Sequence, residues 1–65
     1  MGEKIAELRA RRRMTQEVLA ARSGVSRATI SGLESGRVRQ TTIGTLRKLA
    51  GALEVDVACF FTQDA

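Results

Sequence analysis

The sequence predicts an all-α fold. Apolar residues recur at spacings of three and four, no proline interrupts the chain, and Ser or Thr repeatedly stands just before a helical segment that a glycine follows. The chain has 65 residues, enough for one small domain whose folding buries only about 60% of the surface the unfolded chain exposes. One cysteine and no histidine leave no disulfide framework and no plausible zinc set, so helix packing must supply the stability, helped by a partner subunit if there is one. Neither a linker nor a repeat divides it, so residues 1–65 read as a single domain.

The first helix is predicted over GEKIAELRARRR, with Ile5, Leu8 and Arg12 on one face and Arg9 at its border. Met14 closes it. Thr15 can offer its hydroxyl to the free amides of a first turn, so a second helix begins at Gln16, turns Leu19 and Ala20 inward and ends at Gly24. Ser26 caps again, starting a third helix at Arg27 that stops at Gly36. Helices this short need a platform, because nucleation costs more than a few hydrogen bonds return.

The fourth helix, TIGTLRKLAGALEV, supplies a core stripe of Ile43, Leu46, Leu49, Ala50 and Leu53, capped by Thr42 and weakened by Gly44 and Gly51. Asp56 caps a short last helix carrying Val57, Phe60 and Phe61.

The charge is uneven. Eleven Lys and Arg against seven Asp and Glu give +4. Residues 1–48 hold all eleven bases and four acids, a net +7, whereas residues 49–65 hold three acids and no base. A basic body suggests a polyanionic partner. Catalysis is not expected, since Cys59 and the hydroxyls have no histidine to act as base and no carboxylates stand at an acid/base spacing. No cofactor is expected either. No run approaches the ~18 apolar residues of a membrane span, and the N-terminus lacks the apolar segment of a signal peptide, which points to the cytoplasm.

The third helix carries the functional signal. Ile30 and Leu33, with Thr29 beside them, form its anchoring face, while the opposite arc carries Arg27, Ala28, Ser31, Gly32 and Ser35. An ordinary solvated face favours Glu, Lys or Gln, and Gly32 inside a helix costs about 1 kcal/mol relative to Ala. Small side chains let the backbone approach a partner closely. A DNA major groove about 12 Å wide admits such a helix, and Arg suits the O6 and N7 acceptors of guanine.

These residues carry a resemblance to a known family. The TQEVLA entry, then Gly24, Val25 and Ser26, then TISGLESG, TLRKLAGAL and VDVACFF resemble the helix-turn-helix domains of the Cro and phage-repressor type, the XRE family, over essentially the whole chain. The resemblance implies a compact five-helix, lambda-repressor-like domain with its helix-turn-helix unit at about 15–35 and the third helix in the major groove. It implies that Arg27, Ala28, Ser31 and Gly32 face the bases. Gln16, Ser26, Arg37, Arg39 and Thr42 take the DNA backbone, and Arg9 and Glu34 form a structural ion pair between the first and third helices. Thr41 replaces a frequent proline of the family, and Glu54 stands where a glycine commonly ends the fourth helix. If the backbone at Glu54 is left-handed, it costs on the order of 1 kcal/mol.

A domain this small buries one phenylalanine more easily than two. Cys59, Phe60 and Phe61 are therefore candidates for contact with a second copy, the alternative being that both rings complete the monomer core. The expected function is a sequence-specific, cytoplasmic and nucleoid-associated transcriptional regulator, a repressor or autoregulator that binds double-stranded DNA at a palindromic operator as a homodimer. One alternative is an antitoxin-type module whose C-terminal end docks a toxin, with DNA binding secondary. Another, a helical protein touching membranes or RNA through RARRR, leaves the capped helices and the small-residue face unexplained.

Overall fold

The computed structural model describes residues 1–61; residues 62–65, including Asp64 of the acidic end, lie outside the described residues. Four α-helices, α1 (Gly2–Arg11), α2 (Gln16–Ser23), α3 (Arg27–Ser35) and α4 (Ile43–Leu53), are followed by a 3-10 turn at Val57–Phe60. The expected fifth α-helix is thus corrected to that turn. Four residues after the Asp56 cap close only i→i+3 bonds, from Cys59 N–H to the Asp56 carbonyl and from Phe61 N–H to the Ala58 carbonyl.

Hydroxyl caps set the helix starts. Thr15, Ser26 and Thr42 each accept a hydrogen bond from the backbone N–H three residues on, at Val18, Thr29 and Thr45. Met14 and Val25, just before the caps Thr15 and Ser26, are buried in the same core as Leu19 and Ile30, which stand four residues after those caps. Each pair fixes the angle at which the chain enters its helix.

The ends are less uniform. Gly24 and Gly36 end α2 and α3 in the left-handed conformation, where they carry no Cβ penalty. Arg13 and Glu54 adopt the same conformation without that freedom, at φ of 54° and 58°. After α1, Arg13 N–H bonds the Ala10 carbonyl and Met14 N–H the Arg9 carbonyl; after α4, Glu54 N–H bonds the Gly51 carbonyl and Val55 N–H the Ala50 carbonyl. Both are the paired closing bonds that satisfy orphan helix carbonyls. Consequently α1 ends at Arg11, two residues short of the predicted stretch. Arg12 leaves the apolar face and pairs with Glu54 at 2.8 Å, tying the two unusual helix ends together.

Ile5, Leu19, Ile30, Leu33, Leu49 and Leu53 are fully enclosed, joined by Met14, Val25, Leu46, Ala50 and Phe60. Every element contributes, and α2 packs on both α3 and α4 while α1 packs on α3 and the final turn. Gly2 begins α1 directly against the backbone of Leu33, an approach that leaves no room for a Cβ.

Candidate nucleic-acid interface

The orientation of α3 depends on a carboxylate at its inner edge. Arg9 reaches Glu34 with two parallel hydrogen bonds, Nε to Oε2 at 2.8 Å and Nη2 to Oε1 at 3.0 Å, while its Nη1 donates to the Met14 carbonyl at 2.7 Å. Gln16 Nε2 donates to the same Glu34 Oε1 at 3.1 Å. One side chain of α3 is therefore held from α1 and from α2. Exposure of the two charged side chains is only 21% for Arg9 and 9% for Glu34. Burial pushes the Glu34 carboxyl up, but hydrogen bonds from Arg9 and Gln16, with the Arg9 charge, outweigh it and leave the group below its ordinary range. Arg9 is raised, chiefly by its hydrogen bond to Glu34 and against some desolvation.

The opposite side of α3 is open. Arg27 and Ala28 are exposed and Ser31 is half-buried, all on the arc facing away from Ile30 and Leu33. Gly32 does not share that exposure, and its expected place among the base-facing residues is corrected. It is buried under the loop after α3, its carbonyl accepting the Val38 N–H at 2.9 Å, and a Cβ there would lie 2.6 Å from Val38 Cγ2. The absent side chain admits Val38.

The other expected contacts divide by how free their polar groups are. Arg37 and Arg39 are exposed in the segment between α3 and α4 and form no ion pair among the described residues. Ser26 and Thr42 are exposed, but each hydroxyl oxygen caps its own helix and also lies against a second hydroxyl, Thr29 and Thr45 respectively. Gln16 is half-buried with one amide hydrogen engaged by Glu34, leaving its second hydrogen and its carbonyl oxygen for another partner. Cys59 is half-buried and Phe60, 2% exposed, belongs to the monomer core. That burial removes Phe60 from the expected subunit contact. Phe61 is 59% exposed and shares an open, largely apolar groove with Met1, Ile43 and Leu46, whose lining also includes Arg39, Gln40 and Thr41.

One feature of this surface was not expected from the sequence. Glu17, on the first turn of α2, pairs with Arg27, on the first turn of α3, through Oε1 and Nε at 2.7 Å. The signal was there in the opposite charges at the starts of two helices joined by a three-residue turn, but their meeting depends on the angle between those helices.

Comparisons with known proteins identify the family. The helix-turn-helix family model matches residues 5–58. The chain is 43% identical over 54 residues to RghRB of Bacillus subtilis (strain 168), described as an uncharacterized HTH-type transcriptional regulator, covering 83% of this chain and 39% of that one. It is 47% identical over 55 residues to y4dJ of Sinorhizobium fredii, described in the same terms, covering 85% of this chain and 70% of that one. With RghR of Bacillus subtilis, an HTH-type transcriptional repressor, it shares 43% identity over 54 residues, 83% of this chain and 40% of that one. The matched region thus spans about two fifths of the two Bacillus regulators. No solved structure gives a significant match. With four helices, the cap–glycine spacing around α2 and α3, and these matches in hand, the chain belongs to the helix-turn-helix transcriptional regulators of the Cro and phage-repressor (XRE) type.

Proposed function

We propose that this domain reads a palindromic DNA operator as a homodimer and represses transcription by occupying it. The observation that carries this reading is the division of α3 into an inner edge clamped by Arg9 and Gln16 through Glu34 and an outer edge presenting Arg27 and Ala28 to solvent. In this reading Arg27 bonds guanine O6 and N7, Ala28 meets a thymine methyl, and Ser31 supplies an adaptable hydroxyl. Arg37 and Arg39 neutralise phosphates on one flank. Gln16 uses its remaining N–H, while the amide ends of α2, α3 and α4 beside the caps Thr15, Ser26 and Thr42 offer further donors to phosphate.

The open groove where Met1, Ile43 and Phe61 lie over Leu46, bordered by Arg39, Gln40 and Thr41, supports the dimer, because exposed apolar surface marks a contact site that a second copy would cover. Two such subunits would set their recognition helices about 34 Å apart, one turn of DNA. That RghR is described as a repressor favours repression over activation.

Selection from random duplex DNA at about 150 mM salt, near physiological screening, tests the reading. An enriched palindrome, with sedimentation of a dimer on that site, is the expected result. No enrichment by a folded protein would end the reading and leave the apolar groove as a surface for an unlike protein, the antitoxin-type alternative.

A further inference from the structure

Arg27 is exposed at the start of α3, yet it is ion-paired. Its Nε is 2.7 Å from Glu17 Oε1, and the two side chains are 62% and 63% exposed. Resting on the assignment of Arg27 to a guanine, we propose that Glu17 is a specificity-determining residue that positions the reading arginine.

The chemistry follows from the shape of the guanidinium. Its five N–H groups form a rigid fork that can meet a two-acceptor partner along the Nε–Nη side or across the Nη–Nη end. The Glu17 carboxylate lies against the Nε side as an ion pair, which leaves the Nη–Nη end of the fork for the groove. Guanine presents O6 and N7 as two neighbouring acceptors, which that end satisfies in parallel. Holding the fork beforehand also lowers the ordering cost of binding. The holder is itself anchored: Glu17 sits one residue into α2, where Thr15 caps the helix, and a carboxylate there is favoured by the helix dipole.

The same carboxylate has a second effect. It places a negative charge beside the basic residues of the interface, where any DNA brings phosphates, and so disfavours binding to every sequence alike. Orientation raises affinity for the correct base pair and so enlarges its ratio to the others. Repulsion lowers affinity for every sequence and leaves that ratio unchanged.

The test measures binding to the selected site, to the same site with the guanine pair exchanged, and to random duplex, for the wild type, Glu17→Ala, Glu17→Gln and Arg27→Ala. Glu17→Ala is expected to lose about fivefold of the discrimination at the guanine pair, the equilibrium equivalent of a well-formed exposed ion pair. It should also bind random DNA about twofold more tightly. Glu17→Gln, which keeps an acceptor for Nε but no charge, should show the same gain on random DNA and retain most of the discrimination. In an Arg27→Ala background, Glu17→Ala should no longer change the response to that base pair. Melting curves report whether each variant is folded.

Wild-type discrimination in Glu17→Ala, in a protein whose Arg27→Ala form has lost it, overturns the positioning role and leaves the DNA-reading assignment standing. Full discrimination in Arg27→Ala itself removes that assignment and this proposal together.

Discussion

Two arginine–glutamate pairs hold α3, and they are alike in chemistry and opposite in surroundings. Arg9–Glu34 joins α1 to α3 with two parallel hydrogen bonds, largely shielded from water, and recruits Gln16 and the Met14 carbonyl. Arg27–Glu17 joins α2 to α3 as an ion pair in open solvent. A shielded pair cannot lose one member without leaving a charge that water does not reach, whereas an exposed pair contributes little because solvent competes for both ends. The difference teaches which pair maintains the fold and which is free to meet a ligand.

The largest expected effect lies at the shielded pair. Arg9→Ala should lower stability by about 3 kcal/mol, since Glu34 would keep only Gln16 as a side-chain partner. For a domain of this size that shifts Tm by roughly 12–24 °C, read by a thermal melt. At the exposed pair the cost moves from folding to binding. Arg27→Ala should change stability by less than about 0.5 kcal/mol, yet weaken operator binding by about 1–3 kcal/mol and relax preference at one base pair. By contrast, Arg39→Ala should weaken all sequences alike and reduce the salt slope by about one unit. Equal loss on operator and random DNA for Arg27→Ala would put the two arginines in one class.

Acid sharpens the same comparison. The Glu34 carboxyl titrates lower in the folded chain than its ordinary value of 4.5, so its contribution to stability is complete above about pH 4.5 and is lost as the pH falls through the folded value. Denaturant midpoints from pH 6 to 3 should fall for the wild type, and Glu34→Gln should flatten part of that decline. Retention of the full slope in the variant would assign it to other carboxylates.

The smallest effect concerns a third pair, Arg12–Glu54, with side chains 41% and 73% exposed. Glu54→Gly removes an exposed ion pair worth at most about 1 kcal/mol and relieves a left-handed residue costing about 1–2 kcal/mol. A net gain of a few tenths to 1 kcal/mol is expected in a urea titration. It should be larger in 1 M salt, where the pair is screened and the backbone term is not.

Much of this architecture is legible in the sequence because its determinants are local. A hydroxyl at 15, 26 and 42 and a glycine at 24 and 36 mark helix boundaries within a few residues of themselves, and the structure places the caps there. The resemblance to a family, rather than any spacing, supplied the Arg9–Glu34 pair. What was not legible depends on how separate elements meet. No local signal distinguishes Arg13 as left-handed, since it takes that conformation when the α1 carbonyls are closed by Met14 N–H and its own. Gly32 looked like clearance for a ligand because the wheel of α3 shows only one helix; the fold of residues 36–38 makes it clearance for Val38 instead. Gln16 turns toward Glu34 for the same reason, its partner lying 18 residues away.

The seating of Val38 over Gly32 has a consequence for how such a domain can diversify. Gly32 and Glu34 are committed to holding α3 in place, whereas Arg27, Ala28 and Ser31 have side-chain surface outside the core. The helix is thereby split along its length into a fixed mount and an interchangeable blade. If α3 reads bases as proposed, new preferences would come from exchanging three side chains, with the angle of presentation inherited unchanged.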